Sequence, residues 1–252
     1  MSEATRAEEI ARELRDDILS GRLRPGERLP SERELADRTG ANRGSTREAL
    51  KLLAQQRLIE IRPGGSRVIP VHRASLDVLA HLLQTSDGPD PALMAQLLDV
   101  HELLLAGAVR LSVERASQAE LQRAIELLDG LGAERIREDE YSRTLAALIE
   151  LIAEASHNLV LRMVGHGLLS VLASVVPLLR RLRPPHAVLA PAVARVRSAL
   201  VQRDAAAAEQ GIRSLLRLKR EHVLKQLELA AAAARSRGDA APPRRRASSG
   251  RR

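Results

Sequence analysis

Apolar positions recur at helical spacing almost from the start of the chain. Residues 5 to 20 alternate charges with Ile10, Leu14, Ile18 and Leu19, and Gly21 stops the run. Arg24-Pro25-Gly26-Glu27 reads as a turn. Ser31 and Glu34 stand three apart as a capping box, which opens a short helix through Leu35 and Ala36 that ends at Thr39-Gly40. A third helix starts near Asn42, with Ala49, Leu50, Leu52 and Leu53 as its inward face. Leu58-Ile59-Glu60-Ile61 then reads as a strand, Pro63-Gly64-Gly65-Ser66 as a hairpin tip, and Val68-Ile69 as the returning strand. Helix, helix, turn, helix and a two-stranded wing is the order of a winged helix-turn-helix.

Beyond the wing the period stays helical. A linker helix is expected over about Ser75 to Gln84, ended by Gly88-Pro89. About six helices follow between Pro91 and Ala234, with breaks at Gly130-Leu131-Gly132, at Ser156 and at Pro184-Pro185. The expected fold is therefore mostly α. It divides into a winged helix-turn-helix over residues 5–71, a linker over 72–89, an all-helical domain over 90–234 and a disordered basic tail over 235–252.

Composition sharpens this picture in two places. Tyr141 is the only residue among Phe, Trp and Tyr, so the cores must be filled with Leu, Ile, Val and Ala. The chain also lacks the stacking platforms that single-stranded nucleic acid and RNA loops require, which favours duplex as the nucleic-acid partner. The net charge of +8 is concentrated at one end: from Arg235 onward seven arginines face Asp239 alone. The high isoelectric point therefore says little about the folded part. With no cysteine, disulfides and thiolate metal sites are excluded. No signal peptide follows Met1 and no apolar run of transmembrane length is evident, so a cytoplasmic location without membrane contact is expected.

The run Arg24-Pro25-Gly26-Glu27-Arg28-Leu29-Pro30-Ser31-Glu32-Arg33-Glu34-Leu35-Ala36, continuing through Arg43-Gly44-Ser45-Thr46-Arg47-Glu48-Ala49-Leu50, closely resembles the N-terminal domain of the GntR family of bacterial repressors and activators. The resemblance covers roughly residues 8 to 70, and the helical remainder resembles the ligand-binding domain of the FadR-type subfamily. It implies a sequence-specific transcription regulator, a homodimer on a pseudo-palindromic operator of double-stranded DNA, and a small-molecule effector. Two-fold pairing also has a physical motive, because a single module of this size buries too little DNA for tight specific binding.

Candidate DNA contacts follow from residue chemistry and resemblance together. Asn42, Arg43, Gly44, Ser45 and Arg47 occupy the first turn and a half of the third helix, where free backbone N–H groups favour phosphates and base edges. Arg43 and Arg47 are four apart and share a face, and each can reach guanine O6 and N7 with two hydrogen bonds. Arg33 matches a family position that contacts DNA. Gly64 and Gly65 would let the wing backbone approach the minor groove, although the family usually keeps a glycine where Ser66 stands. Glu48 reads as a partner within the helix or between domains.

The family's helical domain commonly holds a metal, through an Asp and three histidines. The matching positions here are Leu145, Ile149, Val193 and Leu215, none of which can ligate a divalent ion. His101 stands where many relatives carry an arginine that pairs with a carboxylate effector. No cofactor is expected, and these five residues are the candidate effector contacts. The ligand would then be largely apolar, with a fatty acyl group or acyl-CoA as leading candidate and a small carboxylate as rival. Two structural alternatives stay open: His101 as a partly buried hydrogen-bonded residue, and the four aliphatic positions as solid core. Gly165, Gly167 and Pro177 interrupt the apolar run from Leu159 to Leu182 and could open space or only kink the helix.

An enzyme is not expected. The sequence has no nucleophile elbow, no phosphate-cradling loop and no acid/base constellation. A nucleoid-associated protein that binds DNA without an effector would account for the basic tail, but leaves a helical domain of this size without a purpose.

Overall fold

The computed structural model describes residues 3–83, 90–132 and 136–239, in which ten α-helices and one two-stranded antiparallel sheet are formed. The chain divides into two compact units, Met1–Ser86 with Ser170–Ser174, and Asp87–Leu169 with Val175–Arg252.

In the first unit, α1 (Glu3–Leu19) buries Ala7, Ile10, Ala11, Leu14 and Ile18, a stripe at the three- and four-residue spacing of one helix face. α2 (Glu32–Thr39) is opened by the expected capping box. The Ser31 hydroxyl accepts from the Glu34 N–H at 3.3 Å, and the Glu34 carboxylate accepts from the Ser31 N–H at 2.7 Å. These hydrogen bonds, the backbone one first, hold the Glu34 carboxyl below its ordinary pKa. α2 closes on Gly40 at φ 61°, a left-handed conformation open to glycine at little cost. α3 (Arg43–Gln55) turns Thr46, Ala49, Leu50 and Leu53 inward, where they meet Leu29, Leu35, Leu58, Ile59 and Val68 in one core.

The wing differs in register from the sequence expectation. β1 (Ile59–Arg62) pairs with β2 (Gly65–Val68), Ile59 facing Val68 and Arg62 facing Gly65. The tip is the two-residue Pro63-Gly64 turn, so Gly65 and Ser66 belong to the strand. Gly64 and Gly65 have φ of 96° and 127°, conformations that a Cβ would strain. The ladder does continue to Ile69, whose N–H donates to the Leu58 carbonyl at 2.8 Å. Ser66 is buried on the inner face, so its side chain does not thicken the outer face of the wing.

After a 3-10 turn at Val71–Arg73 comes α4 (Val78–Leu82), shorter than the linker helix expected over 75–84. It is packed onto the first unit, with Val78 1% exposed and Leu82 against the same core. Arg15 Nη1 lies 2.6 Å from His81 Nε2. Burial, and then the guanidinium, hold the His81 pKa below its ordinary value, which favours a neutral imidazole accepting from arginine.

The second unit holds α5 (Pro91–Arg115), α6 (Gln118–Leu131), α7 (Glu138–Ala155), α8 (Leu159–Arg181) apart from its residues 170–174, α9 (His186–Val201) and α10 (Ala205–Asp239). The expected breaks near Gly132, Ser156 and Pro184 separate these helices, and α8 runs unbroken through residues 165, 167 and 177. α10 continues to Asp239, past the expected end at Ala234, so the start of the supposed tail is helical; residues 240–252 lie outside the described residues. α5 and α10 run antiparallel, shown by ion pairs Asp99–Arg220 at 2.8 Å, Glu102–Arg217 at 3.1 Å and Arg110–Glu209 at 3.2 Å. Contrary to the sequence reading, α5 is long and apolar enough by composition to cross a membrane. Here its Met94, Leu97, Ala106, Val109 and Val113 are buried in protein. The core between the helices is aliphatic, built from residues such as Val113, Leu121, Leu128, Leu148, Val196 and Leu216. Tyr141 lies under the Arg183 guanidinium, 4.2 Å from ring centre to Cζ.

Leu53 is completely buried while Arg47, two turns earlier on the same helix, is exposed. Leu53→Ala should therefore cost about 2–5 kcal/mol of stability by cavity formation. Arg47→Ala should stay within about 0.5 kcal/mol. Urea unfolding followed by circular dichroism distinguishes the two, and equal losses would mean that α3 is rotated from the orientation described.

Candidate nucleic-acid interface and ligand domain

α3 divides its residues cleanly between two faces. Asn42 caps the helix, its side-chain carbonyl accepting from the Ser45 N–H at 2.7 Å. The Ser45 side chain is only 2% exposed and Thr46 is fully buried, its hydroxyl donating to the Asn42 carbonyl at 3.1 Å. Ser45, expected at the DNA, is therefore an inner residue: the same periodicity that buries Ala49 buries it one turn earlier. Arg43, Gly44 and Arg47 are exposed on the other face. Among the described residues neither arginine side chain has a hydrogen bond or ion pair, whereas the adjacent Glu48 is held by Lys51 at 2.7 Å. Two arginine forks four residues apart are thus free to meet an external partner. Arg33 is likewise exposed on α2.

Gly65 proves to be constrained from outside the hairpin. A Cβ built there would lie 2.8 Å from Arg28 Nε, so the Arg28 side chain lies across this glycine. Residues 26–29 run alongside β2 as a third, edge segment. The Leu29 N–H donates to Ser66 O at 2.9 Å, the Val68 N–H to Glu27 O at 3.0 Å, and Arg28 bridges to Arg67. Neither Arg28 nor Arg67 stands out in the sequence as a site residue, because a turn reading of 24–27 does not bring that segment to the wing. A stretch of extended residues before the capping box was the available signal.

The five candidate effector residues are not gathered around one cavity. Leu215 is buried in the helical core and Val193 packs against it; Leu145 and Ile149 are half-buried on α7. His101 is half-buried on α5, and burial, followed by the nearby Lys219 ammonium, lowers its pKa to about 4. It is therefore neutral near pH 7. A narrow, mostly apolar cavity in this unit measures about 40 Å³ and is lined by residues including Val109, Ser112, Leu121, Leu148, Ile152 and Val196. That is room for about one water and not for an acyl chain. A shallow groove of about 350 Å³ between α5 and α10 is lined by Asp99, Glu102, Leu103, Arg217, Arg220 and Glu221. None of the five candidates lines either space. The four aliphatic positions have no donor atoms and do not fit a divalent ion, and no group of three His, Asp or Glu residues converges among the described residues.

Comparison with known proteins agrees with this architecture. The family profile "Bacterial regulatory proteins, gntR family" matches residues 6–69, and the "FCD domain" profile matches residues 96–218. The HTH-type transcriptional regulator Mce2R of Mycobacterium tuberculosis is 36% identical over 110 residues, 43% of this chain and 46% of that one. The Glc operon transcriptional activator of Escherichia coli is 32% identical over 161 residues, 61% of this chain and 62% of the relative. The matched region thus spans about half the length of the mycobacterial relatives. A solved structure of Lar, titled as controlling expression of the agr system of Listeria monocytogenes, covers 87% of this chain and 96% of its own at a TM-score of 0.51. At 13% identity it bears on the fold alone. These relatives are transcriptional regulators and not enzymes. With a gntR profile on the winged helix and an FCD profile on the helical bundle, the chain belongs to the GntR family of bacterial regulatory proteins.

Proposed function

We propose that the protein is a FadR-type regulator that binds a pseudo-palindromic operator as a homodimer, each protomer reading one half-site with the outer face of α3. The observation that carries this reading is the exposed, unpartnered pair Arg43 and Arg47, on a helix whose opposite face is locked into the core. In this reading each guanidinium takes a guanine edge in the major groove. Gly44 permits close approach, Arg33 supports the phosphate backbone, and Gly64 and Gly65 bring the wing backbone to the minor groove. Asn42 acts by capping α3, and Ser45 contributes its backbone. Arg43→Ala and Arg47→Ala should each weaken operator binding by about 1–3 kcal/mol and relax base preference at one position of each half-site. Selection of binding sites from a random duplex pool, followed by anisotropy titration, measures both effects. Unchanged preference in both variants would mean that another element reads the bases.

The effector reading is that the FCD domain, at work in the cytoplasm, takes a largely apolar ligand without a metal, a long-chain acyl group or acyl-CoA. Aliphatic residues at four family metal positions support it, because a small polar acid buried there would lose several kcal/mol of solvation without partners. Each buried CH₂ of a chain would instead gain about 0.8 kcal/mol. The 40 Å³ cavity requires the helices to part for such a ligand. A small carboxylate is the second reading, favoured by a 27%-identical relative named the galactonate operon transcriptional repressor of Escherichia coli. Titration of the protein–operator complex decides between them: acyl-CoAs should shift DNA affinity, while sugar acids should not. Release by a sugar acid with acyl-CoAs inert, or stoichiometric zinc or nickel in the purified protein, would sink the apolar reading.

His101 adds a pH signature. With its folded pKa lowered to about 4, the neutral form is preferred in the native state, and its contribution to stability is present above about pH 6.5. That contribution is lost progressively as pH falls from 6.5 to 4. Melting temperature should therefore drop on acidification more steeply in the wild type than in His101→Gln, and parallel curves would show that the imidazole is not held neutral.

A further inference from the structure

The outer face of the wing carries more charge than a hairpin needs. Glu60, Arg62, Gly65 and Arg67 point to this face, opposite the buried Ile59, Ser66 and Val68. The edge segment adds Arg28, which bridges to Arg67 and lies on the same face. Three arginines thus meet one carboxylate, and that one is already paired, with Glu60 held by Arg62 at 2.6 Å. Arg67 is steadied by donating to the Gly26 carbonyl at 3.0 Å. No acidic side chain forms an ion pair with Arg28 among the described residues. Glu34 feels its charge, but that carboxylate is occupied by the Ser31 capping box.

The geometry around Arg28 is specific. Its guanidinium lies against Gly65, with Nε, Nη2 and Cζ at 2.8, 3.2 and 3.3 Å from where a Cβ would stand. A Cβ there would have to displace the Arg28 side chain, and the φ of 127° at this position would strain any residue but glycine. A guanidinium has five N–H donors in a planar fork, and one resting against backbone loses little further freedom on meeting an anion. We infer that this face, with Arg28 as its centre and Arg67 beside it, is a phosphate-contact surface for duplex DNA, adding sequence-independent grip to the base reading by α3. The occupant follows from charge complementarity: two unneutralised arginines on an exposed sheet face match a polyanion. This rests on the DNA-binding reading above and extends it to residues outside the helix and the hairpin tip.

The test uses the full chain and a mixed-sequence DNA duplex, with affinity measured across a salt series. Arg28→Ala should weaken binding several-fold for all sequences alike and make the salt slope shallower by about 0.9, the value of one phosphate contact. Arg28→Lys should restore most of the slope. Melting temperature without DNA should be unchanged in both variants. Arg43→Ala runs alongside as the control. If Arg43→Ala alters base preference while Arg28→Ala leaves affinity and slope untouched, this inference fails and the reading by α3 stands. If neither variant affects DNA, the DNA-binding reading itself fails. A fall in melting temperature of Arg28→Ala that accounts for its loss of affinity, unrescued by lysine, would make Arg28 a structural brace of the wing and overturn the proposal.

Discussion

A helix has one rotational setting, and burial of one face decides what the other presents. In α3 that setting is fixed by Thr46, Ala49, Leu50 and Leu53, all 4% exposed or less. Ala49, Leu50 and Leu53 hold the helix in the apolar core shared with α1 and β1, with no polar group on the outer face involved. Arg43 and Arg47 are left outward as a geometric consequence, and Ser45 is drawn inward by the same rotation. The Asn42 cap and the Gly40 turn set where the helix begins, so the arginines fall within its first two turns. Stability and recognition are thus written on the same thirteen residues without competing for side chains.

Much of the N-terminal unit was legible in the sequence because its signals are local. The Ser31–Glu34 capping box, Gly40 and the Arg43–Arg47 spacing each depend on a few neighbouring residues. The helical breaks at Gly132, Ser156 and Pro184 are of the same kind. What escaped depends on contacts distant in sequence. Arg28 reaches the wing only because residues 26–29 pair with β2 some forty positions later, and the extended stretch before the capping box does not say which strand it pairs with. The register of the wing was misplaced because Pro63, Gly64, Gly65 and Ser66 are all turn formers, and composition alone cannot choose which two make the turn.

The helical domain was legible as helices and not as a binding site. Leu145, Ile149, Val193 and Leu215 were singled out through correspondence with a family pattern, and each does face its own apolar stripe. A stripe says that a residue is inside; it does not say whether the inside holds a ligand or closely packed side chains. The small cavity lies instead among Val109, Leu121, Leu148 and Val196, at positions where neighbouring helices meet imperfectly. Such a mismatch is a property of several helices at once and leaves no mark on any one of them. His101 shows the same limit: its position suggests an anion partner, while burial, and then the nearby Lys219, disfavour its charged form.

The aliphatic composition of both cores also governs how this protein can be watched. With Tyr141 as its one phenol and no indole, the chain absorbs very little near-ultraviolet light, and its intrinsic emission comes from a single place. That place is the stack between Tyr141 near the start of α7 and Arg183 in the segment joining α8 to α9. Any rearrangement of that junction would change the emission against an otherwise dark background, without a label. The same transparency has a cost at the bench. Traces of copurified nucleic acid would dominate the absorbance spectrum, so that protein concentration is better taken from peptide-bond absorption or amino-acid analysis.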